Sequence, residues 1–142
     1  GLRVGFMVGD HSVISQYLKI IGNGGSLVPT PLLEVAADLY DDDDHVTAIR
    51  SYYNTNFDIA ASHLRITPPN GGFFLWLNVD DDLNFVRRLM VDQAVRALPG
   101  SFMAVTNGSG NPGSGYVRLA LVHDADLTDT AIRRIANIYQ QP

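Results

Sequence analysis

Residues 116–122 read Tyr-Val-Arg-Leu-Ala-Leu-Val, and residues 73–79 read Phe-Phe-Leu-Trp-Leu-Asn-Val. Both are short runs rich in aliphatic and aromatic residues, bounded by glycine or by charged clusters, which is the pattern of a β-strand. Side chains alternate across a strand, so each run has two faces. In the later run Val117, Leu119 and Leu121 point one way, while Tyr116, Arg118, Ala120 and Val122 point the other. In the earlier run Phe73, Leu75, Leu77 and Val79 oppose Phe74, Trp76 and Asn78. Arg118 thus stands in a row of uncharged neighbours, and Arg3 occupies a similar setting in Gly-Leu-Arg-Val-Gly at the start of the chain. A guanidinium is always charged, and burying it unpaired is costly, so each arginine calls for an anionic partner. Glycines on both sides of Arg3 let a backbone or ligand approach closely, which suits phosphate. For Arg118, spacing leaves two readings open: a structural ion pair with an aspartate, or bidentate recognition of a ligand carboxylate.

Around these runs the chain changes character near its middle. Residues 2–8 read as a short buried strand ended by Gly9-Asp10. Asp10 is placed to cap a helix from His11 to about Ile21 with an apolar stripe of Val13, Ile14, Tyr17, Leu18 and Ile21. After a glycine-rich break, Thr30-Pro31 reads as a cap and first-turn pair for a helix through Tyr40. Asp41 to Asp44 reads as the acidic start of a long helix reaching about His63, with Val46, Ile49, Tyr53, Phe57 and Ala60 or Ala61 inward. Four consecutive carboxylates point around a helix axis, not at one ion, so a metal reading is disfavoured. Beyond Pro68-Pro69-Asn70-Gly71-Gly72 comes the 73–79 strand. Asp80-Asp81-Asp82 then caps a helix carrying Leu83, Val86, Leu89 and Met90. A short strand at 95–98 stops at Pro99-Gly100, residues 107–115 read as a mobile loop, and 116–122 is the third strand. Thr128 reads as the cap of a last helix that turns Ile132, Ile135, Ala136 and Tyr139 inward. The order β-α-β-loop-β-α predicts an α/β chain ending in a small α+β domain, a short mixed or antiparallel sheet backed by helices.

Composition narrows the functions open to such a chain. At 142 residues, 46% hydrophobic, it can bury one ordinary core, and a net charge of −5 argues against a general nucleic-acid or anionic-membrane surface. The absence of cysteine excludes disulfides, thiolate zinc sites and cysteine nucleophiles, and is compatible with a cytoplasmic protein. His11, His45, His63 and His123 show no metal-ligand spacing and read as surface or capping residues. Ser101 lacks a nucleophile elbow. Of ten basic residues only Lys19 is a lysine, and it falls in a helix on what reads as surface.

In series, several segments resemble the C-terminal portion of class I/II, fold-type-I, pyridoxal-phosphate-dependent aminotransferases. They are Gly-Leu-Arg-Val-Gly-Phe at 1–6, Pro-Pro-Asn-Gly-Gly-Phe-Phe-Leu-Trp-Leu at 68–77, Ala-Leu-Pro-Gly-Ser-Phe at 97–102, Gly-Tyr-Val-Arg-Leu-Ala-Leu-Val at 115–122 and Ile132-Arg133-Arg134-Ile135. The likeness extends over essentially the whole chain and is greatest to the N-succinyldiaminopimelate aminotransferase group. It implies that Arg3 pairs with the phosphate of pyridoxal 5'-phosphate and that Arg118 clamps the substrate α-carboxylate. It implies further that residues 1–38 are the tail of a large cofactor domain, that 39–142 form the small C-terminal domain, and that the parent is a homodimer acting on amino-acid and 2-oxo-acid substrates. Residues 26–31 correspond to a region near the dimer interface. The Schiff-base lysine of the family precedes the segment matched by Gly1, so no catalytic residue is assigned in this chain, which is expected to be a fragment inactive by itself. Two rivals stand beside it: a protein of the same fold with other chemistry or use, such as a related decarboxylase, lyase or aminotransferase-like regulator, and a non-catalytic binding module that uses the small domain.

Overall fold

A computed structural model of the chain describes residues 3–25 and 27–139. The chain divides into two compact units, residues 1–47 and 48–142. In the first, helix α1 (His11–Gly24) begins where the Asp10 carboxylate accepts the Ser12 N–H at 2.8 Å, and it ends at Gly25, whose φ of 68° is left-handed. Helix α2 (Thr30–Asp41) starts one residue earlier than Thr30-Pro31 suggested: Pro29 occupies the cap and Thr30 is already helical. The strand expected at 2–8 is not formed. Leu2 lies outside the described residues, Arg3 has a left-handed φ of 58°, and residues 3–10 carry no regular structure. The physical reason is the lack of a sheet to join. Phe6 and Val8 are 76% and 84% exposed, and among the described residues the run pairs with no strand. The expected stripe of α1 likewise forms without being buried.

The acidic run is divided between two helices. Asp41 closes α2, Asp42 is its C-cap with an extended φ/ψ, and α3 (Asp43–Leu64) carries Asp43 and Asp44 in its first turn. The break arises because the Asp42 carboxylate turns back to accept the Asp44 N–H at 3.0 Å, and the negative charges then sit at the positive end of α3.

The second unit holds the core. Strands β1 (Phe74–Asn78), β2 (Leu98–Pro99) and β3 (Tyr116–Ala120) form an antiparallel sheet in the order β1-β3-β2. The register pairs Leu75 with Leu119, Trp76 with Arg118 and Leu77 with Val117. The face holding Leu75, Leu77, Val117 and Leu119 is buried against Phe57, Ala60 and Leu64 of α3, Phe85 and Leu89 of α4 (Asp82–Gln93), and Ile132 and Ile135 of α5 (Ala125–Ala136). Leu89 faces inward from α4 as expected and Phe85 joins it, whereas Leu83 and Met90 are half exposed. Ile49 is exposed, and the deepest polar residue of α3 is Asn56, whose amide donates to the carbonyls of Leu121 and His123 at 2.9 Å each. Asp124, not Thr128, caps α5; Thr128 is buried inside it and donates to the His123 carbonyl. His63 reaches Asp129 at 2.8 Å, and Arg133 first, then His63, hold that carboxyl below the usual carboxylate range.

Two further corrections concern the Pro-Gly-Ser segment. β2 begins at Leu98 instead of Val95, and it runs straight into a 3₁₀ turn, Gly100–Met103. Residues 107–115, expected to be a mobile loop, are pinned. Asn107 and Gly110 bridge each other, the Asn111 amide donates to the Ser101 carbonyl at 2.9 Å, and the Gly115 carbonyl accepts the Val79 N–H at 2.8 Å. A side chain on Gly100 would strike the Gly113 carbonyl, come within 2.8 Å of the Tyr116 carbonyl and within 2.9 Å of the Trp76 ring. Asp82 ties the same region to α4: its buried carboxylate accepts the Ser101 N–H at 2.9 Å and the Gly115 N–H at 3.4 Å. Burial raises its pKa, but hydrogen bonds from Ser101 and Gly115 outweigh that and hold it below the ordinary carboxylate range.

Two stability effects follow. Gly100→Ala overpacks a backbone-to-backbone contact and should lower unfolding free energy by about 1–3 kcal/mol or more in urea denaturation. Asp82→Asn should cost about 1.5–3 kcal/mol at neutral pH through loss of a charged acceptor. Because the folded pKa is depressed, the Asp82 contribution is present above the unfolded carboxylate pKa and is lost as pH falls through the folded value. A urea series toward acid should therefore show wild type and Asp82→Asn converging; a constant gap would refute that role.

Candidate functional site

The sheet face opposite the core is where Arg118 emerges. It carries Phe74, Trp76 and Asn78 from β1 and Tyr116, Arg118 and Ala120 from β3, none of them buried. Arg118 is half-buried, between Trp76 on one neighbouring strand and Leu98 on the other. Among the described residues it makes no ion pair. Its guanidinium carbon instead lies 4.5 Å from the centroid of the Phe74 ring. Trp76 stacks on Tyr116 at 5.5 Å between centroids and 13° between planes. Of the two readings that spacing left open for Arg118, the internal aspartate pair is therefore not the one formed. A guanidinium held by a ring face keeps its in-plane N–H donors for another acceptor.

Arg3 belongs to the first unit. It is exposed, makes no ion pair among the described residues, and lines a hollow of about 220 Å³ with Val4, Ala36, Leu39, Tyr40 and His45. The Tyr40 hydroxyl donates to the Val4 carbonyl at 3.4 Å, and the Phe6 ring meets Tyr40 edge-on at 5.3 Å. His45 is within 3.2 Å of Asp42, whose carboxyl is held low by the Asp44 N–H first and by His45 next. Arg3 and Arg118 lie in different units.

The other candidates have structural surroundings. Lys19 is exposed on α1, and Ser101 uses its backbone N–H to hold Asp82. His11 contacts Ser15 in its own helix. Ser26 lies outside the described residues. Phe74 and Trp76 carried no assigned role in the sequence reading, although alternation had already put them on one face. What was missing was the register, which alone tells that their face is also that of Arg118.

Comparison with known proteins bears on this geometry. The pattern of the family Aminotransferase class I and II matches residues 1–135. The chain belongs to the class I and II aminotransferases. This aminotransferase family depends on pyridoxal 5'-phosphate. An LL-diaminopimelate aminotransferase of Nitratidesulfovibrio vulgaris (strain Miyazaki F) is 30% identical over 97% of this chain and 36% of its own length. The crystal structure of an aminotransferase from Neisseria meningitidis Z2491 is 34% identical, covers 98% of this chain and 37% of its own, and superimposes with a TM-score of 0.78. LysN, an α-aminoadipate aminotransferase of Thermus thermophilus, covers 96% of this chain and 37% of its own; at 19% identity and a TM-score of 0.71, it shares the fold. The chain thus spans a little over a third of the length of the relatives it matches.

If Arg118 is held by a ring and not by an internal carboxylate, removing its charge should hardly disturb the fold. Arg118→Met should change unfolding free energy by no more than about 1 kcal/mol, the scale of a cation–π contact at a partly exposed site. A loss of several kcal/mol in urea denaturation would restore the structural ion-pair reading.

Proposed function

We propose that this chain is the C-terminal part of an aminotransferase that moves an amino group between an α-amino acid and a 2-oxo acid. The observation that carries the reading is Arg118: a guanidinium on a rigid strand, beside aromatic rings, without a carboxylate partner among the described residues. Such an arginine suits the α-carboxylate that amino-acid and oxo-acid substrates share. Gripping it would fix the α carbon's orientation for proton transfer, so that one residue serves both half-reactions.

Arg3 is proposed to pair with the phosphate of pyridoxal 5'-phosphate. Its guanidinium is exposed and makes no ion pair among the described residues, and a fixed charge would hold the phosphate in place throughout turnover. When bound, this cofactor supplies the electron sink that acidifies the substrate α C–H and the carbonyl that takes up the amino group. We assign residues 1–38 to the tail of the large cofactor-binding domain and 39–142 to the small domain of a homodimeric, cytoplasmic parent. The 142 residues alone are proposed to be inactive, because their single lysine, Lys19, lies exposed on α1.

For the substrate, the sequence resembles the N-succinyldiaminopimelate group, and the matched relatives include LL-diaminopimelate aminotransferases. Both names point to a diaminopimelate skeleton, free or N-succinylated, as one amino partner, and we take glutamate with its 2-oxo acid as the exchange pair. The test is to assay the parent protein, expressed from its complete gene, with N-succinyl-LL-diaminopimelate, LL-diaminopimelate and alanine. We expect a diaminopimelate-type substrate to be preferred. Arg118→Ala should lower kcat/KM for amino and oxo acids alike by roughly 30-fold or more, from ~2–5 kcal/mol of lost anchoring. Arg3→Ala should speed cofactor loss on dialysis. Unchanged kinetics in Arg118→Ala would remove that residue from the site.

A further inference from the structure

The setting of Arg118 contains a row of rings that its role as an anion clamp does not by itself require. The Phe74 ring lies 4.2 Å from that of Phe73, and Phe73 stacks at 5.4 Å and 28° on Tyr53 of α3. Phe73 and Phe74 are consecutive, and in a regular strand their rings would point to opposite faces. They meet because β1 begins only at Phe74, and Phe73 still belongs to the bend that follows Gly72, whose φ is 86°. The row Tyr53–Phe73–Phe74 therefore runs from the long helix to the guanidinium, and all of it lies in the second unit.

We propose that Phe74 is the positioning residue for Arg118. This rests on the reading of Arg118 as a carboxylate clamp. An arginine side chain is long and loses much rotamer freedom when it binds an anion, so a clamp works better if it is ordered beforehand. The usual way to order an arginine is an aspartate or glutamate, but that partner occupies the same N–H donors a substrate carboxylate would use and neutralises the charge. A ring face orders the guanidinium from above and leaves its in-plane edge free. Phe73 and Tyr53 in turn limit where the Phe74 ring can go. Phe74 is 37% exposed, so replacing it removes a contact without opening the core.

Trp76 provides the readout. It is the only tryptophan in the chain, the cross-strand partner of Arg118, and it stacks on Tyr116. The experiment titrates the parent protein, expressed from its complete gene, with 2-oxoglutarate, following the Arg118 Nε–H resonance by NMR and, in a form whose only tryptophan is Trp76, its fluorescence. In the wild type we expect a saturable fluorescence response and an Arg118 Nε–H signal shifted upfield by the Phe74 ring current. Phe74→Tyr should keep both. Phe74→Leu and Phe74→Met should lose the ring-current shift and bind roughly two- to fivefold more weakly, the range of a cation–π contact at a partly exposed site. If Arg118→Met abolishes the response while both apolar variants bind like wild type, the positioning role is overturned and the clamp reading stands. A response that survives in Arg118→Met, or is absent from the wild type, overturns the clamp and the positioning role together.

Discussion

The antiparallel pairing of β1 with β3 is the constraint on which the second unit depends. Its register opposes Leu75 to Leu119 and Leu77 to Val117, making one face wholly apolar, and that face receives α3, α4 and α5. The same register places Trp76 beside Arg118 on the other face. A slip of one residue would carry leucines outward and turn the guanidinium into the core, where it would be far more expensive to hold. Core and candidate site are therefore two faces of one hydrogen-bonding pattern.

Much of this was legible from alternation alone. The strand cores, the two faces of β1 and β3, the helices and the placement of Ile132 and Ile135 follow from periodicity of two and 3.6, because burial against one layer imposes those periods. Arg118 was legible as a candidate because a charge breaks an apolar row. Its surroundings were not. The stacking of Phe74 depends on a bend at residues 71–73, and whether an aspartate reaches Arg118 depends on contacts far apart in sequence.

Three kinds of residue escaped the sequence reading for different physical reasons. Asn56 looks like any polar helix residue, and its two acceptors lie 65 and 67 positions away. Asp82 looks like one of three capping aspartates, yet Asp81 caps α4 while Asp82 is buried under Ser101 and Gly115. Residues 3–10 have strand-like composition, but composition supplies only a tendency; a strand needs neighbours, and Phe6, Met7 and Val8 are exposed.

The contact between Gly100 and Gly113 has a consequence for how this region can vary. With the two backbones touching and Asn111 anchored to the Ser101 carbonyl, the connection from the 3₁₀ turn to β3 is a closed ring of fixed circumference. Adding or deleting a residue between Asn111 and Gly115 would shift the Gly115 carbonyl away from Val79 and drag β3 out of register. The tip at 107–110 is closed on itself by the Asn107–Gly110 bridge, and it can lengthen without passing any strain inward. Length variation among homologous chains, and any inserted tag or epitope, belongs at that tip.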